Sequence, residues 1–106
     1  MAKFLIEGTY TVEGAKGIAK DGGSKRRKAV EKMLKGVKGS LEAFYFSFGC
    51  ADVYLIVDVP NAVTAAAISL AVNQSGAVRT KTHVLMTAED MDKAAKQSVS
   101  YRAPGK

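Results

Sequence analysis

The chain has 106 residues, 47% hydrophobic and 25% charged, and its sixteen Lys and Arg against ten Asp and Glu leave a net charge of +6. That length supports one domain with a buried core and is too short for two. No run of about eighteen apolar residues occurs, so no membrane span is expected. The apolar stretch Phe4-Leu5-Ile6 ahead of Glu7 is too short for a secretory leader, which points to a cytoplasmic protein. A single cysteine, Cys50, excludes an internal disulfide, and with one histidine no metal-ligand set and no cofactor are expected.

Residues 3–11 are rich in β-formers and predict a first strand. Residues 12–20 hold enough small and aliphatic residues for one or two helical turns. Asp21-Gly22-Gly23-Ser24 reads as a break, with Ser24 placed to cap the helix that follows. There Val30, Met33, Leu34 and Val37 recur at i, i+3, i+4 and i+7, one face of an amphipathic helix. Gly36 and Gly39 end it. Residues 40–48 predict a second strand, with Leu41, Ala43 and Tyr45 on one face and Glu42, Phe44, Phe46 and Phe48 on the other. After the tight connection Gly49-Cys50-Ala51-Asp52, the apolar run Val53 to Val59 predicts a third strand buried on both faces, stopped by Pro60.

Asn61 caps a predicted second helix over 62–74, made mostly of Ala, Val, Ile and Leu. Residues 77–86 alternate as a fourth strand, and Thr87 with Asp90 forms a capping-box start for a short last helix. Residues 1–97 are the expected domain and 98–106 a flexible tail. The order β-α-β-β-α-β predicts an α+β, ferredoxin-like sandwich: a four-stranded antiparallel sheet with helices on one face, plus a C-terminal helix. The other sheet face is then uncovered, and an exposed apolar face marks a partner surface. A second copy packed face to face, a homodimer or a higher oligomer, is the simplest occupant.

Tyr10-Thr11-Val12-Glu13-Gly14 resembles the Tyr-Thr-x-x-Gly that ends the first strand of GYD-domain proteins. Ala43-Phe44-Tyr45 followed by Gly49-Cys50-Ala51-Asp52 resembles their Gly-x-Tyr-Asp, with Ala51 standing where the family has Tyr. Gly76-Ala77-Val78-Arg79-Thr80-Lys81-Thr82 is similar to the family's Gly-x-Val-Arg-Thr-x-Thr. The resemblance covers roughly residues 4–92 in order. It implies a dimeric α/β-barrel on the ferredoxin-like fold and implies no particular reaction. Within the wider superfamily it points to small-molecule monooxygenases, isomerases and effector-binding regulators, often with ligands between sheet and helices, a likeness of fold alone.

Few residue types carry chemistry. Asp52 follows a tight turn and is either a base or ligand anchor at a cleft mouth or a turn-stabilising carboxylate, the latter preferred. His83, the one histidine, shares a strand face with Arg79 and Lys81 and is a candidate general base, set against an interface role; a grouping with Asp52 and Glu7 stays open. Tyr10, Tyr45 and Tyr54 lie on three strands, where a phenol orients a ligand or simply fills the core edge. Arg79, Tyr45 and Asp52 are the candidate ligand-binding set, and Tyr54 or Tyr10 would orient substrate for a base at Asp52 or His83. Cys50 has no cation near it in sequence to make a reactive thiol.

Lys25-Arg26-Arg27-Lys28 puts four cations where a helix dipole prefers anions, so an anion bound by Ser24, Lys25, Arg26 and Arg27 would relieve the conflict, against a plain solvated basic face. The net charge favours phosphate contacts, but Phe44-Tyr45-Phe46-Ser47-Phe48 does not reproduce the aromatic motif of RNA-recognition sheets, so nucleic acid is not the expected partner. The sequence therefore points first to a homo-oligomeric small-molecule-binding or assembly module, second to a cofactor-independent monooxygenase- or isomerase-like enzyme, and third to nucleic-acid binding through the basic helix.

Overall fold

A computed structural model describes residues 1–106. The elements run β1 (Ala2–Tyr10), α1 (Val12–Gly36), β2 (Ser40–Phe46), β3 (Val53–Val59), α2 (Ala62–Gln74), β4 (Val78–Leu85) and α3 (Ala88–Lys96). The strands form one open antiparallel sheet in the order β2-β3-β1-β4, an α+β arrangement compatible with the ferredoxin-like sandwich. No helix is long and apolar enough to cross a membrane.

Period-two alternation assigns the faces. Phe4 and Ile6 of β1, Phe44 of β2, and Val53, Leu55, Val57 and Val59 of β3 are buried beneath Val30 and Leu34 of α1 and Ala65 and Ile68 of α2. Leu34, Val57 and Val59 are fully enclosed, and each side chain of this size contributes about 1.5–3 kcal/mol by leaving water. The face expected for β2 is modified by a bulge between Leu41 and Ala43. The extra residue moves Leu41 to the core side with Phe44 and Phe46, while Tyr45 stays on the other face.

The predicted break at 21–24 is narrower than expected. The helix runs from Val12 to Gly36 with one non-helical residue, Gly22, at φ 80° and ψ 174°. This is a region essentially closed to side-chain-bearing residues, so one glycine absorbs the whole kink. Ser24 does not cap the element; Thr11 does, accepting the Gly14 N–H at 3.3 Å. The expected caps of the later helices form. Asn61 Oδ1 accepts the Thr64 N–H at 2.9 Å, and Thr87 and Asp90 make a reciprocal capping box.

Helix α2 is tied to the outer edge of β4. Asn73 donates to Thr80 Oγ1 at 2.8 Å and accepts the Thr80 N–H at 3.0 Å, and the Ser69 and Thr82 hydroxyls pair at 3.0 Å. The bond to the Thr80 N–H occupies one of the backbone groups that this edge would otherwise leave free. Helix α3 has no buried residue, and every residue from 98 to 106 except Ala103 is exposed. The radius of gyration is 16.9 Å, against roughly 13 Å for a compact chain of this length, because this C-terminal arm extends from the body.

Candidate functional site

The segments that resemble family motifs meet in space. The Thr11 N–H donates to the Ala77 carbonyl at 3.0 Å, and the Thr11 hydroxyl donates to the Gly76 carbonyl at 2.7 Å. Gly14 lies against the same peptide: a Cβ there would stand 1.9 Å from the Ala77 oxygen. Threonine at 11 and glycine at 14 thus let the start of α1 seat on the start of β4. Asp52 closes the other side. Its Oδ2 accepts the Tyr10 N–H at 2.9 Å, its own N–H donates to the Gly8 carbonyl at 2.8 Å, and its carbonyl accepts the Ser47 N–H at 2.8 Å. The carboxylate holds the end of β1 in place, a structural bond across to another strand rather than the bond within its own turn expected above.

Family membership can be read at this junction, since the matched model spans all of it. The GYD domain model covers residues 4–95. The chain belongs to the GYD-domain family. No curated protein and no solved structure matches it. In this GYD domain Ala51 is buried at 3% exposure beside Asp52.

The candidate residues separate onto opposite faces of the sheet. On the helix side, Tyr10 and Arg26 border two adjoining spaces. The inner one, about 50 Å³, is lined mainly by apolar residues, among them Leu55, Ile68, Val72 and Val78. The outer one, about 340 Å³, opens between α1 and the end of α2 past Glu13, Asp21 and Lys25. Tyr10, Arg26, Val72 and Val78 line both. Burial raises the Tyr10 pKa above its ordinary 10.0, with the Arg26 charge pulling it back. Arg26 has no carboxylate within ion-pair distance, whereas Arg27 pairs with Glu31 at 3.7 Å on the exposed side of the helix. The anion set expected around Ser24 is thus divided: Lys25 and Arg26 line the cleft and Ser24 and Arg27 do not, with only Arg26 of the four partly buried.

The open face holds the others in cross-strand rows. Tyr45 pairs with Tyr54, Tyr54 with Glu7, and Glu7 with Lys81; Ala43 pairs with Ile56, Ile56 with Leu5, and Leu5 with His83. One diagonal contact carries chemistry, His83 Nε2 to Glu7 Oε2 at 2.5 Å. Arg79 lies beside them, lining a groove of about 440 Å³ with Glu7, Thr9, Cys50 and Lys81. Lys3 bridges Asp58 and Glu42 at 2.8 Å each. No three His, Cys, Asp or Glu side chains converge as a metal site, and Asp52 does not join His83 and Glu7. Phe44 and Phe46 pack edge to face, 5.2 Å between centroids, on the core side, with Phe44 buried and Phe46 partly buried.

The sequence reading missed how Arg26 and Tyr10 come together. A signal existed: Arg26, Val30, Met33 and Val37 lie at i, i+4, i+7 and i+11, which sets Arg26 on the apolar face of its helix. The pairing of Glu7 with His83, 76 residues apart, had no local signal.

Proposed function

We propose that this GYD-domain protein is a homodimeric small-molecule-binding module. It takes its ligand in the cleft between α1, α2 and the sheet, and covers its open sheet face with a second copy in the dimeric α/β-barrel manner. The observation that carries the reading is the cleft bordered by Tyr10 and Arg26, in which an apolar interior joins a polar mouth, the usual chemistry of a small-molecule site. The open face supports the second copy. Leu5, Ala43, Tyr45, Tyr54 and Ile56 form an apolar belt, and the carboxylates Glu7, Glu42 and Asp58 offset the cations Lys3, Arg79 and Lys81. Such a face meets its own copy without net repulsion despite the basic whole.

A second reading, a cofactor-independent enzyme, is favoured by one observation. His83 in contact with Glu7 is an oriented imidazole of the kind used as a general base, with Tyr54 next to Glu7 in the adjoining strand. Backbone amide NMR during titration with small carboxylates, alcohols, amines and aromatics separates the two. The first reading predicts shifts centred on Tyr10, Arg26, Val72 and Val78. Shifts centred on Glu7, Arg79 and His83 would favour the second and count against the cleft.

A further inference from the structure

We infer that the cleft selects a small amphipathic monocarboxylate, with its carboxylate on Arg26 beside the Tyr10 hydroxyl and a short aliphatic body in the apolar chamber. The inference rests on the proposed cleft and adds the chemical class of its ligand. Arg26 is the sole charged side chain lining the inner space, and no carboxylate of the chain lies within ion-pair distance of it. A planar guanidinium at an apolar wall fits a carboxylate with two parallel hydrogen bonds.

The other polar groups near this wall are engaged. The Ser69 hydroxyl is paired with Thr82, and the Thr80 hydroxyl accepts from Asn73. That leaves Arg26 and the Tyr10 phenol to orient a ligand. The outer mouth sets the charge. Glu13 and Asp21 face it together with Lys25 and Arg26, so two carboxylates balance two cations there. A dianion such as a phosphate ester would meet those carboxylates, whereas a single negative charge is matched by Arg26, the one charged side chain that lines both spaces. The inner space of about 50 Å³ is a third of the roughly 150 Å³ that holds a benzene ring, so it accepts a body of about two or three carbons and not a sugar or a nucleobase.

The test titrates the full chain with propanoate, butanoate, 1-propanol, 1-butanol and inorganic phosphate, read by amide NMR shifts and calorimetry. The expected result is that both carboxylates bind about tenfold or more tightly than the matching alcohols, phosphate does not compete, and Arg26→Gln removes the carboxylate advantage while leaving alcohol binding intact, since a charge-assisted pair is worth about that factor or more. Arg27→Gln, outside the cleft, leaves all affinities unchanged, and Val72→Phe, which fills the chamber, abolishes binding of both classes. Thermal unfolding of each variant reports that it folds. Equal binding of alcohols and carboxylates, lost in Val72→Phe, would overturn the carboxylate inference while keeping the cleft. Carboxylate binding unchanged in Arg26→Gln, or phosphate binding more tightly than butanoate, would overturn it as well. Binding indifferent to Val72→Phe, or no binding by any probe at millimolar concentration, would overturn both.

Discussion

Asp52 and Tyr10 are joined by a carboxylate-to-amide hydrogen bond of 2.9 Å that fixes the end of β1. A hydrogen bond to an ionised, half-buried group contributes about 1–2 kcal/mol net, so Asp52→Ala should lower the unfolding free energy by that much in urea titration. Asp52→Asn, which keeps an acceptor oxygen, should lose less. An unchanged midpoint in Asp52→Ala would remove the structural role assigned here and return Asp52 to the list of ligand anchors.

Gly22 and Gly17 lie on the same helix and should respond in opposite directions. Gly22 has φ 80° and ψ 174°, and a Cβ there meets no other atom, so the cost of Gly22→Ala is backbone strain alone, about 1–3 kcal/mol. Gly17 is helical and equally open, and Gly17→Ala should stabilise by about 0.5–1 kcal/mol. Thermal unfolding of the two variants side by side checks the kink. A stabilising Gly22→Ala would mean that α1 runs straight.

Stability should fall in alkali. Hydrogen bonds from Lys3 to Asp58 and then Glu42 raise its pKa above 10.5, and burial raises that of Tyr10 above 10.0. Both groups hold their protons more tightly folded than unfolded. Their contribution is therefore complete below about pH 10 and is lost as pH rises through the folded values. Tyr10→Phe should show a shallower decline above pH 10 than the parent chain. In ultraviolet titration of the four tyrosines, one should ionise later than the rest and disappear in that variant. Identical alkaline profiles for Tyr10→Phe and the parent would contradict the buried phenol.

Residues 98–106 form no helix or strand and rest on little of the body. Their deletion should change the unfolding free energy by less than about 0.5 kcal/mol, the scale of surface changes. A larger loss would show that the tail belongs to the domain.

The elements were legible because their signals are local: the alternation of β3, the stripe Val30-Met33-Leu34-Val37, and the caps at Asn61 and Thr87. The break expected over residues 21–24 is a kink at Gly22 alone within one continuous helix, and Thr11 rather than Ser24 caps it. The bulge at Glu42 was invisible because nothing in β2 marks an extra residue, and it moved Leu41 to the other face. The site was only partly legible. Tyr10, Arg26 and His83 were singled out as types, but which ones share a face depends on strand register and on where α1 crosses the sheet, and both arise from contacts between residues far apart in sequence.

Native mass spectrometry of the intact chain, purified gently from its expression host, tests the proposed homodimeric binding module most directly, because it weighs the assembly and any retained ligand together. The account predicts a dimer or a multiple of it, carrying a discrete small-molecule mass, that dissociates to monomer in Ile56→Lys, where a charge enters the centre of the open face. A monomer at micromolar concentration with no added mass would contradict it.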